Sequence, residues 1–163
     1  MKKIFTTSLI MAIASLMDAC SSDDDNKDMT YPTISAEGIT ANPVDCQVYQ
    51  RGAVIPFHYI FSDDTELGAY NIEIHTNADH HTHSTSAVEC EEEEDEHEHE
   101  HKAVKPWVYN ESFTLAPGLR TFDARHDIQI PADIDEGDYH FMIRLTDRAG
   151  WQQLHAVAIK ITE

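Results

Sequence analysis

Basic residues are scarce in this chain: 11 Lys and Arg stand against 30 Asp and Glu, for a formal net charge of −19. Such a chain repels phosphate backbones and anionic lipid surfaces and attracts cations, which sets nucleic-acid binding aside. Glycine is as thin, with 6 in 163 residues. No phosphate-cradling loop and no Gly-x-Ser-x-Gly nucleophile turn can be assembled from them. Carboxylates are plentiful, but they crowd a segment too polar to raise their pKa by desolvation. A hydrolytic metal centre would need a general base and a substrate pocket, and nothing marks either. The expectation is a protein that is not an enzyme.

What the chain does have is histidine in an unusual place. Seven of its 11 histidines lie between His75 and His101, in two clusters around a run of acids. The first cluster is His75, His80, His81 and His83, with Asp79 among them; the second is His97, His99 and His101, alternating with Glu98 and Glu100. Imidazole is the commonest protein ligand for borderline transition metals, and carboxylates add oxygen donors and negative potential. Metal capture is therefore the leading functional expectation.

The N-terminus suggests where capture happens. Lys2 and Lys3 precede an apolar stretch from Ile4 to Met17, a signal peptide's basic and apolar regions, and too short to span a bilayer as a helix. Ala19-Cys20 follows, so residues 1–19 read as a lipoprotein signal peptide and Cys20 as the lipidated N-terminus of the mature chain. Met17 and Asp18 depart from the usual residues before such a cysteine, and an ordinary signal peptide is the alternative. Residues 20–29 form an acidic tether, Ser21-Ser22-Asp23-Asp24-Asp25-Asn26 included, with little capacity to pack. The tether resembles the Ser-Asp-rich signal that sends lipoproteins to the outer face of the bacterial outer membrane, and a plain flexible spacer would look similar. Removing residues 1–19 takes away Lys2, Lys3 and Asp18, a net +1, and leaves the mature chain at −20.

Residues 30–163 suffice for one domain with a single core. Their pattern is strand after strand. Val54–Phe61 is a β-rich run closed by Ser62-Asp63-Asp64, and Tyr70–His75 alternates with Tyr70, Ile72 and Ile74 on one face. Trp107–Leu115 and Phe122–Ile130 follow. Tyr139–Thr146 alternates again, and Asp147-Arg148-Ala149-Gly150 turns into a last strand from Trp151 to Thr162. No sustained helical period appears beyond the signal peptide. The expected fold is all-β, an immunoglobulin-like antiparallel β-sandwich. Residues 77–105 are then a long, flexible His/Glu-rich insertion after the third strand of that topology, strand C.

In such sandwiches strands C and F are antiparallel neighbours, so His75 at the end of one should lie beside His140 at the start of the other. Both are out of phase with their strands' apolar residues, which puts both on the outer face. The chain leaving His75 then delivers Asp79, His80, His81 and His83 to the same end. A tight site is expected from His75, His140 and this loop, with one of the adjacent His80 and His81 binding. Zinc is the first choice, with copper and nickel open. His97, His99 and His101 are expected to act as weak sites. His58, His126 and His155 lie in strands away from these clusters and read as structural.

Three cysteines remain, an even pair once Cys20 is an anchor. Cys46 and Cys90 are expected to form a disulfide in an oxidising compartment, with thiolate ligation as the alternative.

The segments Ile72–Asn77, Asp79–Ser84 and Gly137–Asp147 with Gly150-Trp151 resemble a family of small bacterial outer-membrane lipoproteins carrying a domain of unknown function, the 4625 type. That resemblance covers nearly the whole mature domain and implies lipid anchoring and an immunoglobulin-like fold. It implies no activity. The residues themselves point to a surface lipoprotein, held to the membrane by lipid on Cys20, that binds zinc and captures it or delivers it to an outer-membrane transporter. The alternative is an immunoglobulin-like module that binds a partner protein or glycan, with the histidine-rich loop incidental.

Overall fold

The computed structural model describes residues 27–77 and 104–163. Eight strands run through them: β1 Thr33–Ser35, β2 Gln47–Gln50, β3 Val54–Ser62, β4 Leu67–Thr76, β5 Tyr109–Thr114, β6 Thr121–Gln129, β7 Gly137–Asp147 and β8 Gln152–Thr162. They form a three-stranded sheet, β1-β3-β6, and a five-stranded sheet, β2-β8-β7-β4-β5. The described residues contain no helix. The fold is a two-sheet β-sandwich.

Period-two alternation builds it. Ile55, Phe57, Tyr59 and Phe61 of β3 point inward, as do Tyr70, Ile72 and Ile74 of β4 and Tyr139, Phe141, Ile143 and Leu145 of β7, all buried. Val157, Ile159 and Ile161 of β8 complete the inner face of the larger sheet. Phe57 joins the two layers: its ring stacks on Phe141 at 5.9 Å and on Tyr70 at 6.4 Å between centroids. Each such side chain contributes about 1.5–3 kcal/mol by leaving water, so the alternation itself is the main source of stability. Burial also pushes the Tyr49 and Tyr59 phenols up to about 12.

Tyr139, near the start of β7, donates its hydroxyl to the Asp135 carbonyl at 2.7 Å. A hydroxyl returning to backbone a few residues upstream is the tyrosine-corner contact of immunoglobulin-like sandwiches. Asp135 in turn receives the Val104 and Lys105 N–H groups on its carboxylate, so the segment leading into β5 is held at this corner.

Two features differ from the sequence expectation. The sandwich is not wholly antiparallel, because β2 pairs parallel with β8 along Gln47↔Ile159 to Gln50↔Thr162. The segment after β1 crosses from the smaller sheet to the edge of the larger one, and β2 has only Tyr49 buried, too little pattern to read. The last residues of the acidic segment also touch the domain, a contact that its composition did not signal. The Trp151 indole N–H donates to the Asp28 carbonyl at 3.0 Å, and Tyr31 packs edge-on against the same indole.

Candidate metal centre

The β4–β7 ladder positions the first two candidate ligands. It runs from Leu67↔Asp147 to Thr76↔Tyr139, and in it His75 stands directly opposite His140. The inward set of β4 is Tyr70, Ile72 and Ile74, so His75 falls on the outer face with Asn71 and Glu73. On β7 the inward set is Tyr139, Phe141, Ile143 and Leu145, which sends His140 and Met142 outward. The two imidazoles lie with ring centroids 5.5 Å apart and their planes tilted by 49°.

That spacing suits a shared ion. Two imidazoles bound to one tetrahedral zinc through bonds of about 2.0–2.1 Å have centroids roughly 5 Å apart. Glu73, two residues before His75 on the same face, brings Oε1 within 3.3 Å of His75 Nδ1 in an ion-pair contact. A carboxylate at one ring nitrogen is the arrangement that orients a metal-binding imidazole. Sequence reasoning missed Glu73. Its signal was the i, i+2 spacing that puts it on the face of His75.

His140 is on the outer face of the sheet, where alternation places it, and at 5 % exposure it is buried. Its cross-strand neighbours on that face are His75 and Ala158, and the next row holds Met142 and Ala156, both buried. Alternation assigns a residue to a face and says nothing about what covers that face. Glu73 stands across from Met142 in that same row, so the face around His140 mixes apolar and charged side chains.

The other candidates divide cleanly. Asp79, His80, His81, His83, His97, His99 and His101 lie outside the described residues, as does Cys20. Among the described residues no third donor completes a cluster with the two imidazoles. Cys46 is disulfide-bonded, and Cys90, its expected partner, lies outside the described residues. The three histidines read as structural have neighbours of that kind. His58 Nε2 contacts the Asp123 carboxylate at 3.0 Å, and His126 Nε2 lies 3.2 Å from the Tyr109 hydroxyl while its ring meets Phe113 edge-on. His155 packs against Tyr59, and burial holds its pKa below the ordinary histidine value, partly offset by Asp45.

No curated protein matches the sequence. The family model described as a domain of unknown function, DUF4625, matches residues 18–162, and the chain belongs to that family.

Proposed function

We propose that this protein is a surface lipoprotein of the outer membrane that binds zinc through histidines and captures it or hands it to an outer-membrane transporter. The observation that carries the reading is the pairing of His75 with His140, 5.5 Å apart on adjacent strands. Two ligands on neighbouring strands are held in place before the ion arrives, which lowers the ordering cost of binding. Asp79, His80, His81 and His83 follow His75 within eight residues of sequence, so one or two of them can supply the remaining positions. The ten acids between residues 79 and 101 raise the local cation concentration, and His97, His99 and His101 add weak sites. Lipid on Cys20 and the acidic residues that follow supply the anchor and the surface address.

The test is zinc calorimetry on residues 20–163 with His140→Ala and His75→Ala. Each variant is expected to lose at least about 10-fold in affinity, the scale at which even outer-shell changes weaken a metal site. His140 is the sharper probe, because it is remote in sequence from both clusters. Unchanged affinity in a variant still folded by circular dichroism would refute the paired site and favour a module that binds protein or glycan.

A further inference from the structure

The opposite pole of the same strand pair carries a different set of donors. Where β4 begins and β7 ends, one carboxylate oxygen each of Asp28, Asp63 and Asp147 lies within 4.8 Å of the other two. Asp28 comes from the N-terminal segment, Asp63 from the β3–β4 turn and Asp147 from the last position of β7.

Local turn chemistry accounts for only part of this. Asp63 Oδ1 accepts the Thr65 and Glu66 N–H groups at 2.9 and 2.6 Å. Asp147 Oδ1 accepts those of Gly150 and Trp151 at 2.6 and 2.8 Å. These bonds shape the two turns and occupy one oxygen of each carboxylate. The second oxygens, Asp63 Oδ2 and Asp147 Oδ2, are sealed from solvent and have no donor. Asp147 as a whole is only 4 % exposed. Buried carboxylate oxygens without a donor are rare, because burial strips their water and gives nothing back.

Nothing nearby neutralises them. Arg148, the closest basic residue in sequence to Asp147, is engaged by Glu66 at 3.1 Å and by the Leu115 carbonyl at 3.3 Å. Among the described residues no ion pair reaches Asp28, Asp63 or Asp147. The Thr30 N–H holds the Asp28 carboxyl below its usual range. Three carboxyl groups thus converge on one point with two buried oxygens left over.

We propose that Asp28, Asp63 and Asp147 bind a hard divalent cation, Ca²⁺, which clamps the N-terminal segment across the β3–β4 turn and the β7–β8 hairpin. An all-oxygen donor set selects calcium or magnesium over zinc. Calcium accepts irregular geometry and completes its shell with backbone carbonyls and water, whereas magnesium demands a near-ideal octahedron. The clamp has a mechanical consequence. Asp28 and Tyr31 already touch Trp151, and a shared ion would fix the point where the chain leaves the domain towards its N-terminus. This site uses none of the histidines and does not rest on the zinc reading.

The experiment titrates residues 20–163 with Ca²⁺ and with Tb³⁺ as a luminescent substitute. The chain has 2 tryptophans, and the Trp151 indole touches Asp28 directly, so Trp107→Phe leaves one antenna at the site. Tb³⁺ emission excited through Trp151 is expected, displaced by Ca²⁺ in the range of ~10⁻⁴–10⁻³ M typical of extracellular modules. Asp147→Asn keeps the oxygen that serves Gly150 and Trp151 while removing the charge, and should weaken binding at least ten-fold. Asp28→Asn, at a partly exposed position, should do the same and decides the matter if Asp147→Asn fails to fold. His140→Ala should leave the emission unchanged. Emission that persists unaltered in the aspartate variants, or that Ca²⁺ cannot displace at about 10 mM, well above that range, would overturn the site.

Discussion

Gly68→Ala tests how tightly β4 and β7 are set against each other. The ladder between them shifts register between Leu67 and Ala69, so Gly68 sits in the irregularity with no partner of its own. A Cβ there would lie 2.6 Å from the Asp147 carbonyl oxygen, 2.9 Å from its carbon and 2.9 Å from the Thr146 carbonyl oxygen. All three atoms are backbone, so no side chain can swing away. Relief requires the two strands to part by several tenths of an ångström at this end. The Gly68 carbonyl is also tied down, accepting the Leu115 N–H at 3.0 Å.

Two opposing effects set the magnitude. Overpacking a rigid site costs about 1–3 kcal/mol. Against that, alanine restricts the unfolded chain and returns about 0.4–1 kcal/mol, because Gly68 is not in the left-handed region and alanine can adopt its backbone angles. The net loss is about 1–2 kcal/mol, or a fall in Tm of roughly 3–10 °C for a domain of this size. Urea denaturation and calorimetry would measure it. Hydrogen exchange should accelerate first at the Leu115 amide. His75 and His140 lie seven residues further along the same strands from Gly68 and Asp147, roughly 24 Å away at the usual rise, so zinc affinity should hold. A Tm within 1 °C of wild type would refute the close approach. A drop in zinc affinity parallel to stability would refute the independence of the two ends.

Tyr139→Phe removes the donor to the Asp135 carbonyl and the acceptor of the Trp107 N–H; the expected loss in urea denaturation is about 1–2 kcal/mol, and an unchanged midpoint would show the corner to be dispensable. His155 supplies a pH dependence. Burial lowers its folded pKa, so below about 6.5 the unfolded chain binds the proton more readily than the folded one. Its neutral form favours the fold fully above that pH, and the contribution is lost as pH falls towards the folded value. His155→Phe keeps an aromatic contact with Tyr59, and its Tm should decline less than that of wild type between pH 7.5 and pH 5.5. Equal slopes would assign the acid sensitivity elsewhere.

β3, β4, β7 and β8 were legible because each carries three or four large apolar residues at period two. Phe57, Phe61, Ile72, Phe141 and Ile143 need no context to be read as inward. β1 and β2 were not legible for the opposite reason. At three and four residues, with one core side chain between them, they are held by the edges they meet rather than by their own pattern. The parallel pairing of β2 with β8 is a consequence of where the chain crosses between sheets, and that is a tertiary fact.

The same distinction runs through the two sites. His75 and His140 could be paired in advance because alternation puts each on the outer face of its strand and the topology of neighbouring strands supplies the rest. What periodicity could not supply was the burial of His140, because alternation assigns a face and not what covers it. Asp63 and Asp147 were legible only as turn formers. That reading is correct for the Oδ1 atoms, which cap the Thr65–Glu66 and Gly150–Trp151 amides. It is blind to the Oδ2 atoms, because their fate depends on Asp28 arriving from the far end of the chain. A turn aspartate is ordinarily solvated on its free oxygen, and two such turns folded against each other remove that solvent from both. Burial, rather than residue type, converts common turn residues into a donor set for a cation.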